Sequence, residues 1–125
     1  MVRRAGAADL AALAGLFDAY RQFYGQAPDA ALARRFLGER IARNESVLFL
    51  GALAGEPAGF CQLYPSFCSV EAAPVMVLYD LFVGPAARGR GLAGALMHAA
   101  EAHARGAGCA RLDLSTAHDN LAAQA

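Results

Sequence analysis

The chain has 125 residues, 57% of them apolar, which makes one domain of ordinary size and excludes an intrinsically disordered segment. Eleven basic and eleven acidic residues cancel to a net charge of zero, so the basic surplus that a phosphate backbone requires is missing. Nucleic acid is thereby excluded as the main partner. The longest stretch with few charges, residues 57–79, carries Glu71 and the internal prolines Pro65 and Pro74, so no membrane partner is expected. Cys61, Cys68 and Cys109 form no C-x-x-C pair, and His98, His103 and His118 lack ligand spacing. Reduced thiols, no metal site and a cytoplasmic location follow as expectations.

Residues 2–4 read as a short edge strand. Asp9 is placed to cap a helix in which Leu10, Leu13, Leu16, Phe17, Tyr20 and Tyr24 recur at spacings of three and four. Gly25 ends it. A second helix follows Asp29, with Leu32, Phe36, Leu37 and Ile41 inward and arginines and Glu39 outward. The period then changes. Residues 47–53 and 58–68 read as two strands joined by the turn Ala54-Gly55-Glu56-Pro57. Residues 75–84 form a third, almost wholly apolar strand interrupted by Asp80. A helix over residues 91–105 and a strand over 109–115 complete the order β-α-α-β-β-β-α-β, followed by a short stub. This is an α/β (α+β) fold, a mixed and mostly antiparallel sheet flanked by helices, in a single domain over residues 1–125.

One segment carries chemistry. The strand Leu78-Tyr79-Asp80-Leu81-Phe82-Val83 runs through Gly84-Pro85-Ala86-Ala87 into Arg88-Gly89-Arg90-Gly91-Leu92-Ala93, where a helix opens. The N–H groups of a helix's first turn converge on one point, and the helix dipole favours an anion there. Gly89 and Gly91 let backbone approach a phosphate without a Cβ in the way, and Arg88 and Arg90 bring positive charge. The bland alternative is a tight turn with two solvated arginines. Gly89-x-Gly91-x-x-Gly94, with Asp113 further on, also matches the dinucleotide-binding fingerprint. Three features count against that match. Four residues separate strand from first glycine, the strand holds an Asp, and the unit comes last rather than first in the chain.

Arg88-x-x-Gly91-x-Ala93 fits the R/Q-x-x-G-x-G/A signature of the GCN5-related N-acetyltransferase (GNAT) family, and the order of elements resembles that fold over nearly the whole chain. Residues 78–89 resemble the family's fourth strand and pyrophosphate loop. Residues 112–116 with Asp119-Asn120 resemble its fifth strand and the start of its last helix. The resemblance implies transfer of an acetyl group from acetyl-CoA to a small-molecule or peptide amine, without a metal. It implies that Leu81, Phe82 and Val83 offer backbone groups to pantetheine, and that an N–H near Phe82 stabilises the oxyanion. Residues 88–93 (Arg88, Gly89, Arg90, Gly91, Leu92, Ala93) would hold the pyrophosphate, and Asn120 would line the cofactor cleft. Two readings of other classes stand beside it: a catalytically incomplete acyl-CoA-binding module and a dinucleotide-binding domain.

An amine attacks only when neutral, so a proton acceptor is needed. Asp80 is the candidate, because burial raises a carboxyl group's pKa toward a useful range; a structural Asp bonded to backbone is the alternative. Tyr79 is the candidate for ordering a water. In spermidine/spermine acetyltransferases, which this stretch also resembles, an acidic residue stands in the place of Tyr79, so a polyamine acceptor is not implied. Tyr24 and Tyr64, with Tyr20 and Phe67, are candidates for the acceptor wall, core packing being the alternative. The family's thiolate-protonating Tyr would fall two positions beyond Ala125, so a domain truncated at its C-terminus is the expectation, and the exposed sheet edge this leaves points to a homodimer.

Overall fold

A computed structural model describes residues 1–115. The chain forms β1 (Val2–Arg4), a 3-10 turn (Ala7–Asp9), α1 (Leu10–Phe23), α2 (Ala30–Ala42), β2 (Val47–Leu53), β3 (Glu56–Cys68), β4 (Ala73–Val83), a second 3-10 turn (Pro85–Ala87), α3 (Leu92–Gly106) and β5 (Leu112–Leu114). This is the order the hydrophobic periods predict. The strands make one sheet in the order β1-β2-β3-β4-β5, antiparallel throughout except where β5 lies parallel to β4. The α3 helix supplies the crossover that a parallel pair requires.

Strand alternation sends one set of side chains to each face of the sheet. Val47, Phe49, Cys61, Leu63, Met76, Leu78, Leu81 and Val83 pack with Leu92, Leu96 and Ala100 of α3. Leu48, Leu50, Phe60 and Phe82 pack with Leu13, Phe17 and Tyr20 of α1 and with Ala33 and Leu37 of α2. The sheet is therefore covered on both faces, which explains why β4 reads as almost continuously apolar.

On β4 the alternation is broken once. Gln62 opposes Asp80 but Leu63 opposes Leu78, so Tyr79 is an extra residue in the ladder. Leu78 and Leu81, three apart, thus face the same helix. The sequence reading has no such β-bulge. Without it Asp80 and Phe82 would lie under α3; with it they lie under α1.

Three local expectations are corrected. Asp9 does not cap α1 with its side chain. Its carboxylate turns back to Arg3 (2.5 Å) and to the Gly6 N–H (3.0 Å), because a strong charged partner on β1 is within reach. The strand expected over residues 58–68, β3, begins at Glu56, two residues early, since the β2–β3 ladder continues to the Leu53–Glu56 pair. The last strand is shorter than residues 109–115, because Cys109 N–H is used to close α3 on the Ala104 carbonyl. Asp29 is the N-cap of α2, its Oδ1 accepting the Leu32 N–H at 3.0 Å.

Candidate active site

The site is built along β4 and the loop that follows it. In an antiparallel pair, residues alternate between directing their backbone groups at the partner strand and away from it. Gly84 N–H donates to the Ala58 carbonyl of β3 at 2.8 Å, which fixes the phase. Phe82, two residues earlier, therefore directs its N–H and C=O toward β3, while Leu81 and Val83 direct theirs to the opposite edge. β5 covers that edge at Met76, Val77 and Leu78, and Ser115 N–H closes on the Leu78 carbonyl. Past Leu78 no described strand pairs with this edge of β4. Near Phe82 it is the amides of Leu81 and Val83 that face this edge, because Phe82 is committed to the β3 ladder.

Beyond β4 the chain makes its 3-10 turn and reaches α3 through Gly89 (φ 79°) and Gly91 (φ 78°), both left-handed. That backbone is costly for any residue with a Cβ, so both glycines are set by conformation. Gly91 is the N-cap of α3 and supplies no side-chain cap, which leaves the N–H groups of the first turn, beginning with Leu92 and Ala93, without helical partners. Arg90 is exposed beside them, where its charge reinforces the anion preference. A cavity of about 360 Å³ opens next to this loop, between the β2–β3 turn, Leu16 and Pro85-Ala86.

Arg88 departs from expectation. Its Nε donates to the Val83 carbonyl at 2.9 Å, and its guanidinium carbon lies 5.5 Å from the Phe23 ring centre and 5.8 Å from that of Phe82. The side chain folds inward over two aromatic faces, whose ring quadrupoles attract a cation. Its role is therefore to tie the loop to β4 and to the end of α1.

Asp80 is only 7% exposed. One carboxylate oxygen accepts from Gln62 Nε2 at 2.8 Å, and the Tyr20 side chain is a second hydrogen-bond partner. Burial pushes its pKa up, and the two hydrogen bonds, which favour the ionised form, offset part of that push. Gln62 Oε1 meets no partner at ordinary hydrogen-bond geometry, although the Tyr64 hydroxyl lies near enough to be influenced by Gln62. Tyr64 is half-buried with its pKa raised to about 12, mainly by burial and next by the Asp80 charge.

Around this polar group stands an aromatic wall. Tyr79, 50% exposed on the bulge, meets Tyr64 edge-on at 5.4 Å. Tyr24, exposed at the end of α1, meets Tyr20 edge-on at 5.1 Å, and Tyr20 in turn touches Phe60 and Phe82. The structure thus brings Asp80, Tyr79, Tyr64 and the α1 tyrosines to one face of the sheet. Phe67 stands apart, 80% exposed at the distal end of β3. Asn120 lies outside the described residues. The sequence reading does not single out Gln62, and it gives Tyr20 to the acceptor wall or to core packing. The signal for Gln62 was the same one that exposed Asp80, a lone polar side chain in an apolar strand.

Among the described residues no group of three His, Cys, Asp or Glu side chains is placed to hold a metal. No described helix is long and apolar enough to cross a membrane. Among the described residues the parallel ladder that a dinucleotide-binding unit repeats is confined to β4 and β5.

Comparison with known proteins agrees with this geometry. The description of the acetyltransferase (GNAT) family matches residues 13–125. An uncharacterized N-acetyltransferase of Bacillus subtilis (strain 168), YhfO, is 44% identical over 123 residues, covering 98% of this chain and 83% of that protein. Aminoglycoside N(6')-acetyltransferase type 1 of Klebsiella aerogenes is 37% identical over 91 residues, 70% of this chain and 59% of that protein. The crystal structure of a probable acetyltransferase superposes with a TM-score of 0.89 at 39% identity, covering 99% of this chain and 83% of the other.

Proposed function

The chain belongs to the GNAT acetyltransferase family, and from that premise we propose that it transfers an acetyl group from acetyl-CoA to a primary amine by direct attack within a ternary complex. The observation that carries this is the edge of β4. The N–H and C=O of Leu81 face a side where pairing with β5 ends at Leu78, and the same strand leads into a glycine loop and an uncapped helix start. Pantetheine is an amide-bearing chain and adds to such an edge as a strand does. A pyrophosphate suits the first-turn amides from Leu92 onward and the exposed Arg90.

In the proposed step the amine nitrogen attacks the thioester carbonyl carbon. The C–N bond forms, the oxygen becomes an oxyanion, and the Leu81 N–H stabilises it. The amine's proton passes to Asp80, directly or through a water ordered by Tyr79. The C–S bond then breaks and CoA leaves as a thiolate. No enzyme nucleophile is required, and Cys61, with its pKa pushed up to about 12 by burial, is a poor one.

Calorimetric titration with acetyl-CoA, CoA and NAD tests the cofactor assignment. Binding of the first two supports it; binding of NAD alone overturns it. Release of CoA is then followed with an aminoglycoside, a polyamine, an amino acid and a peptide N-terminus as acceptors. The aminoglycoside arm is motivated by the Klebsiella relative. Acetyl-CoA binding with no CoA release in any arm would point to a binding module instead.

A further inference from the structure

Gln62 and Tyr20 take no part in the chemistry above, yet they come from two different elements and meet at one carboxylate. Gln62 is fully buried on β3, Tyr20 is buried on α1, and both hydrogen-bond to Asp80. The Gln62–Asp80 pair is also the last rung of the ladder before the register shift at Tyr79. We propose that Gln62 and Tyr20 are positioning residues, which together fix the Asp80 carboxylate in the place and protonation state that the transfer step needs. The proposal rests on the reading of Asp80 as proton acceptor.

A buried carboxylate without donors would be expelled or permanently protonated. One with two donors from opposed elements is held in a single orientation and keeps its ionised form accessible. Tyr20 is in turn held by its own ring contacts with Phe60, Phe82 and Tyr24. The other titratable groups at this corner are Cys61 and Tyr64 of β3, both of which feel the Asp80 charge, and Tyr79 of β4. Arg40 of α2 is felt at Tyr64, and no cation contributes to the shift at Asp80 itself. Removing either donor therefore changes Asp80 without a nearby arginine to compensate.

The test is a titration of the Asp80 carboxyl carbon by NMR in the full chain, in wild type, Gln62→Leu and Tyr20→Phe. Acetyl-CoA affinity and melting temperature are recorded for each. Each variant is expected to raise the Asp80 midpoint by about one pH unit, the usual consequence of losing a hydrogen bond to the ionised form. Acetyl-CoA affinity is expected to stay near wild type. An unchanged or lowered midpoint in both variants overturns the proposal. If Gln62→Leu fails to fold, Tyr20→Phe decides alone, since it keeps every ring contact. Asp80→Asn separates the two ideas: full turnover in that variant sinks the base reading, while the midpoints still report on the two donors.

Discussion

Gly51 of β2 and Gly59 of β3 lie directly opposite one another, and the notch they leave receives Leu92, the first residue of α3. A Cβ on Gly51 would sit 2.8 Å from Leu92 Cδ1, and one on Gly59 would sit 2.7 Å from the Phe82 carbonyl oxygen. The missing side chains thus let the start of α3 rest on the sheet itself, and with it the glycine loop beside β4. The two positions differ in what blocks them. At Gly51 the obstacle is the end of a flexible side chain; at Gly59 it is backbone.

Gly59→Ala should accordingly destabilise more than Gly51→Ala, by about 1–3 kcal/mol. Urea denaturation measures both. Equal losses would mean that Leu92 cannot shift and that the notch is tighter at Gly51 than its distances indicate.

Gly91 and Gly94 look alike in the sequence but occupy different backbone regions. Gly91 is left-handed at the helix cap, whereas Gly94 lies inside α3 with open space where a Cβ would go. Gly91→Ala should cost about 1–2 kcal/mol of stability from the left-handed strain and weaken acetyl-CoA binding. Gly94→Ala should stabilise the fold by about 0.5–1 kcal/mol through helix propensity and leave binding unchanged. Loss of acetyl-CoA binding in Gly94→Ala would mean that the cofactor reaches further along α3.

Arg88 links three elements through Val83, Phe23 and Phe82. Arg88→Lys keeps the charge but cannot reproduce a planar guanidinium lying over two rings while bonded through Nε. It should lower acetyl-CoA affinity at unchanged pyrophosphate affinity. Arg90→Ala, at an exposed position, should lower both together. Calorimetry with acetyl-CoA and with inorganic pyrophosphate separates the two patterns.

Asp80 should give opposite signs in stability and turnover. Burial raises its pKa above the ordinary 3.8, so the folded state holds the proton more tightly than the unfolded chain does. Its ionisation therefore works against the fold as pH rises from about 4 through the raised value. Asp80→Asn keeps an acceptor for Gln62 and removes the charge, so its melting temperature should exceed wild type at pH 7 and converge with it near pH 3. Turnover should fall. A melting temperature below wild type at pH 7 that converges with it near pH 3 would mean that the charge itself holds α1 to the sheet.

Much was legible in the sequence because it depends on local periodicity and local backbone preference. Tyr20, Leu13 and Phe17 recur at helical spacing, and β2 reads as a continuous apolar run because both sheet faces are covered. Gly89 and Gly91 fall between a strand period and a helix period, so the loop is legible in the sequence, whereas their left-handed backbone is a finding of the structure. The direction of the Arg88 side chain was not legible, since Phe23 lies 65 positions earlier and meets it only after α1 crosses the sheet.

The register of β3 against β4 shows where the sequence stops. Counting outward from the turn, Cys68 faces Ala73 and Leu63 faces Leu78, so Gln62 should face Tyr79. The bulge inserts Tyr79 and brings Asp80 opposite Gln62 instead. The sequence by itself determined the elements, their order, the place of the glycine-arginine loop and the presence of one acidic residue in an apolar strand. The tertiary structure alone decided which face that residue occupies and which β4 amides point to the open edge. A single extra residue inverts the parity of everything after it, and no local pattern records on which strand the extra residue falls.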